Sequence, residues 1–273
     1  MIFLALLLLN TDFLYLMYLL NEIMNPVVLS ILAICVSLAL IQIIYFIPFF
    51  DKKKIKNGKF NLTQFLYSLV IPAFAIPGMY VIKKAITSNP KKEVITINPG
   101  MLEILFLTMV YFSAVGNGIH SLSVILAKNM NGLTKHKAWD INEFFHHKFS
   151  HLLLSVPLLI IFLIFAIFEI NHPGIKLTHF EVLIITISSI VSGVVLGLFA
   201  IEGSIPKEML LVSSFSGIFV TLLLMKYNLN VTEFPFTMFV LSTISSSIVT
   251  TVSYRYLRSS YDEIIDHTFL EDN

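Results

Sequence analysis

Several stretches of this chain run for about twenty residues with almost nothing but apolar side chains, and that feature excludes most folds. Such a run is as long as the helix needed to cross ~30 Å of hydrocarbon. Within hydrocarbon every backbone N–H and C=O must be satisfied by the segment itself or by a closed barrel. Barrel strands alternate apolar and polar over ~10 residues, and these runs do not. The sequence therefore predicts an all-α, polytopic transmembrane helical bundle of seven or eight helices, organised as a single transmembrane domain over residues 1–273.

The runs are Ile2–Leu20, Val27–Phe49, Leu62–Ile82, Met101–Lys128, Ile141–Ile170, Phe180–Ala200, Met209–Lys226 and Phe236–Tyr256. The first is interrupted by Asn10, Thr11 and Asp12 and lacks the basic start and small-residue cleavage site of a signal peptide. It reads either as a span or as an interfacial amphipathic helix ending near residue 25. Pro72 and Pro77 should kink the third run. The Ser- and Thr-rich face of the last run (Ser242, Thr243, Ser245, Ser246, Ser247, Thr250, Thr251) reads as close helix packing through small residues. Residues 257–273 form a polar tail.

Only 13% of residues are charged and the net charge is +1, so no electrostatic footprint for nucleic acid exists. The expected partner is the lipid bilayer. Lysines cluster at 52, 53, 54, 56 and 59. Placing that loop in the cytoplasm gives eleven positive residues on that side against six on the other, which orients a multi-pass cell-membrane protein with a cytoplasmic C-terminus. The single cysteine, Cys35, can form no intrachain disulfide.

The chemistry concentrates between Gly116 and His151. Four of the eight histidines, His120, His146, His147 and His151, lie within or at the ends of two apolar runs. Ionisable groups there are expensive, so each is expected to be paired, liganded or turned to an aqueous cavity. The other four, His136, His172, His179 and His267, fall in loops or the tail. On an α-helix Glu143, His147 and His151, spaced four apart, share one face, while His146 points away from His151. His120 lies on the preceding helix, joined by a short connection, so the two are antiparallel neighbours. At 1.5 Å per residue His120, His147 and His151 reach depths of roughly 12, 10 and 16 Å in the same leaflet. Gly116 and Gly118 remove side chains where those helices approach.

Three histidines and a carboxylate converging in apolar surroundings suit a divalent metal, zinc above all. An open coordination position would acidify water for hydrolysis. The metal ligands are then His120, His147, His151 and Glu143. The proton falls to Glu143 or to Glu202, which ends the sixth run on the same side. The substrate would be lipid-like or membrane-embedded. The weighed alternatives are a bis-histidine b-type haem on His120 with His147 or His151, a divalent-metal transporter, and a noncatalytic subunit of a membrane complex.

His147-Lys-Phe-Ser-His151 resembles the HxxxH of two families of membrane-embedded zinc hydrolases, the alkaline ceramidases and the adiponectin-receptor type. The resemblance implies a seven-helix fold, a third histidine on another helix (here His120) and a metal-bound water. It is limited to the histidine positions: in those families the motif lies on the last helix, with a serine and an aspartate supporting the metal. The same five residues also look like a zincin HExxH with Lys148 at the glutamate position, where lysine cannot act as the base. The paired histidine-bearing helices resemble the ZIP transporters as well, without their HNxxD and HExxH patterns.

Overall fold

The computed structural model describes residues 24–46, 54–55, 60–66, 70–130, 136–174 and 176–270. The first apolar run, Ile2–Leu20, and most of the lysine cluster lie outside the described residues. The elements are α1 (Pro26–Phe46), a two-residue antiparallel pair β1 (Lys54–Ile55) and β2 (Phe60–Asn61), α2 (Leu62–Phe65), α3 (Ile71–Thr87) and α4 (Pro99–Asn129). There follow α5 (Lys137–Glu143), a π-helical turn (Phe144–Phe149), α6 (Ser150–Ile170), α7 (His179–Glu202), α8 (Pro206–Lys226), a 3₁₀ turn (Val231–Glu233) and α9 (Pro235–Leu270). Among the described residues six helical stretches are long and apolar enough to span a bilayer. The protein is thus a multi-pass helical membrane bundle.

Within the run Leu62–Ile82, α2 closes at Phe65 and α3 opens at Ile71 with Pro72 in its first turn and Pro77 inside it; residues 67–69 between them lie outside the described residues. One boundary differs from the sequence reading. The last helix, α9, continues past Tyr256 to Leu270, so part of the polar tail prolongs it.

One face of the bundle gathers Asn25, the segment 88–98, residues 171–174 and 176–178, and the segment before α9. There the Asn25 N–H donates to Glu181 Oε1 at 2.9 Å, and Glu181 closes a capping box with Thr178 at the start of α7. His172 Nδ1 donates to the Asn89 carbonyl at 2.9 Å. The Asn171 side chain accepts from the Val94 and Ile95 N–H groups and donates back to the Ile95 carbonyl. The loop histidine His172 is therefore a structural tie. Glu169 is fully buried and accepts from Phe236 N–H at 2.8 Å, Thr237 N–H at 2.7 Å and the Thr237 hydroxyl at 2.9 Å. The carboxylate occupies the positive end of α9 and saturates its orphan donors.

The core is built on α6, the most buried of the spanning helices. Phe162 and Phe165 meet Phe236 and Phe239 of α9 at ring separations of 5.5–5.9 Å, the geometry aromatic pairs prefer. Lys83 of α3 pairs with Glu103 of α4 and lies over the rings of Phe106 and Phe168. Backbones come closest where side chains are missing. A Cβ at Gly193 of α7 would collide with the Thr243 carbonyl and lie 2.5 Å from Ser246 Cβ; one at Gly197 would lie 2.8 Å from Thr250 Cβ. The small-residue face of α9 thus packs against α7, as the sequence predicts. Gly116 of α4 serves the same end, since its Cβ would fall 2.8 Å from the backbone of Leu153 and Leu154. Gly118 does not: nothing lies within 4 Å of it.

Leucine at position 193 should therefore lower stability by about 1–3 kcal/mol through overpacking, whereas leucine at 118 should cost nothing measurable. Thermal unfolding of both variants in one detergent checks this; equal losses would refute the close α7–α9 contact.

Candidate metal site

The site forms where a helix changes type. Lys137–Ile170 is a continuous stretch of 34 residues, longer than the hydrocarbon requires, so its first turns lie at headgroup depth. Between Phe144 and Phe149 it winds as a π-helix: the Ser150 N–H donates to the carbonyl of Phe145, five residues back. Residues five apart then face the same way. Phe144, Phe145 and Phe149 form a mutually contacting aromatic group, with Phe144 and Phe145 exposed, as suits an interface anchor.

The widened turn overturns the α-helical expectation for His146. Its ring lies 4.9 Å from that of His120, and His151, five residues on, lies 5.0 Å from His120 on the same side. His147 is displaced toward the rim. Its Nε2 meets Glu143 Oε2 at 3.2 Å, with 44% of the His147 side chain and 33% of Glu143 still exposed. Glu143, His146 and His147 present ligand atoms all within 4.8 Å of one another. The structure thus brings Glu143 and His147 together as expected and adds His146. It leaves His120 and His151 as neighbours in ring contact rather than members of that donor set. The signal for His146 was in the sequence, but α-helical spacing points it elsewhere.

The buried Ser150 hydroxyl donates to the His146 carbonyl, and its oxygen lies 3.5 Å from His120 Nδ1. Asn142, also buried, donates to the Ser123 carbonyl of α4 at 3.1 Å and fastens the short helix ahead of the π turn.

His151 packs on the turn that ends α7. A Cβ at Gly203 would fall 2.5 Å from His151 Cβ and Cγ and 2.8 Å from Nδ1, so only glycine allows the ring there. The Nδ1 atom is buried and completes no hydrogen bond. Glu202, the residue before, is not in the converging donor set. Its Oε1 accepts from Gln42 Nε2 of α1 at 3.4 Å, a partner the sequence did not indicate. Lys148 pairs with Glu208 of α8 at 3.5 Å. His136 accepts the Ala138 N–H as the N-cap of α5, a structural role.

Divalent metals take imidazole nitrogen and carboxylate oxygen together, and the Glu143–His146–His147 group supplies both at the membrane face. No protein-family model matches the chain, and neither curated proteins nor solved structures provide a match.

The π register is checkable by cross-linking in a Cys35→Ser background. The double variant His120→Cys with His146→Cys should form a disulfide on mild oxidation, and His120→Cys with His147→Cys should not. The reverse result would restore the α-helical register.

Proposed function

We propose that this membrane protein binds one divalent cation, zinc by its donor set, through Glu143, His146 and His147, and uses it to hydrolyse a lipid-like substrate. The observation that carries the reading is the convergence of these three donors within 4.8 Å at headgroup depth, where a lipid's scissile bond can reach them. An ion held there supplies Lewis acidity and an activated water. The chain's own contribution is orientation. Glu143 and His147 hold each other in place, and the Ser150 hydroxyl stands against His120 Nδ1. In this reading the His120 imidazole, beside the donor set, takes a proton from the attacking water. The partial exposure of Glu143 and His147 leaves the site open from the headgroup layer, and the exposed Phe144 and Phe145 anchor its rim.

Elemental analysis with a visible spectrum on detergent-purified protein tests this. About one zinc per chain without a Soret band is expected. Glu143→Ala and His146→Ala should each weaken metal binding by about a hundredfold, and His172→Ala, on the opposite face, should not. Full metal retention in His146→Ala would reject the site.

A further inference from the structure

Beside the histidines lies a pair of groups that the metal site does not use. Glu202 is the last residue of α7, and Gln42 lies one turn before the end of α1. The Glu202 carboxylate can only accept, so the Gln42 amide must turn its NH₂ toward it, as the 3.4 Å contact records. That leaves the Gln42 carbonyl as the free acceptor of the amide. Gln42 is only 6% exposed, and its Oε1 is sealed from solvent without a hydrogen-bond partner. A buried acceptor of this kind is costly unless a donor reaches it.

α7 ends here and presents the negative pole of its dipole beside a carboxylate and an unpartnered amide oxygen. The lysine of the π turn, Lys148, is engaged with Glu208. The acceptors the pair presents are the Glu202 oxygens and the Gln42 carbonyl. The level of the pair is that of the headgroups, since Glu202 closes a spanning helix of 24 residues. Its distance from the histidines is short, because the next residue, Gly203, lies against the His151 ring.

We infer that Gln42 and Glu202 form a recognition subsite for a primary ammonium group, the head of an amino-bearing lipid. An –NH₃⁺ carries three donors and no acceptor, the complement of what the subsite presents. A quaternary ammonium has the charge but no N–H, and an anionic headgroup meets the carboxylate. The inference rests on the hydrolase reading and names its substrate's headgroup. It moves Glu202 from proton transfer to substrate selection.

The test is lipid retention by the full chain after chelator treatment, so that it does not depend on metal. Protein in detergent is exposed to equimolar phosphatidylethanolamine and phosphatidylcholine of identical acyl chains, and bound lipid is counted by native mass spectrometry. The wild type should retain the ethanolamine lipid about tenfold over the choline lipid, the order expected of one charge-assisted hydrogen bond. Glu202→Gln, which keeps the shape, and Gln42→Leu should each bring the ratio near one without lowering Tm. A ratio near one in the wild type, or an undiminished ratio in Glu202→Gln, overturns the inference. Free ethanolamine is a separate arm. If it raises Tm in the wild type but not in Glu202→Gln while lipid retention shows no preference, the lipid-head inference falls and the pair binds a soluble amine instead. Zinc binding with no ammonium preference would leave the hydrolase reading intact and remove this one alone.

Discussion

Helices in hydrocarbon gain little from burying apolar faces against one another, because lipid tails are as apolar as leucine; they depend on how closely their backbones approach. This bundle answers that constraint with missing side chains. Gly193 and Gly197 bring α7 onto the hydroxyl-bearing face of α9, and Gly116 brings α4 onto α6 beside Leu153. The second contact bears on function. Drawing α4 against α6 carries His120 to the start of α6, where the π turn presents His146 and His151. Gly203 completes the arrangement from a third helix by admitting the His151 ring against the end of α7.

Several polar groups of the interior hold the fold and are saturated. Glu169 accepts three bonds at the start of α9, Lys83 has Glu103 and two aromatic faces, and Asn171 uses both ends of its amide on one loop. Other buried polar atoms have no partner, among them the hydroxyls of Ser155, Ser192, Ser213 and Thr243 along the helix contacts. His151 Nδ1 and Gln42 Oε1 belong to this second kind, and they differ from the hydroxyls in being stronger acceptors or donors beside ionisable groups, where leaving them unmet is costly.

Most of the bundle was legible in the sequence because the signal is physical length: runs matching the bilayer had to be helices, and from Met101 onward the helices fall where the runs lie. The exceptions have local causes. Gly116 and Gly118 look alike in sequence, yet only the first faces a neighbour, because two residues along a helix turn the Cβ by more than half a circle. Gln42 lies in a run long enough to span on its own, and nothing in the sequence ties it to Glu202 160 residues away.

The histidines were legible as a set but not as a geometry, and the reason bears on what a spacing motif means. HxxxH specifies a shared face only if the helix is α throughout. Here the residues between Glu143 and Ser150 wind with hydrogen bonds from i to i+5, so His151 is matched by His146, and His147 is left to Glu143 at the rim. The resemblance to the HxxxH hydrolases therefore holds in letters and not in arrangement. What the chain retains is chemistry of the same kind, imidazoles with a carboxylate at headgroup depth, assembled by a wider turn. The wider turn also explains why four ionisable residues are tolerated so close together. It aims His146 inward at His120 and His147 outward at Glu143 and the headgroup layer, so neither imidazole is left facing hydrocarbon.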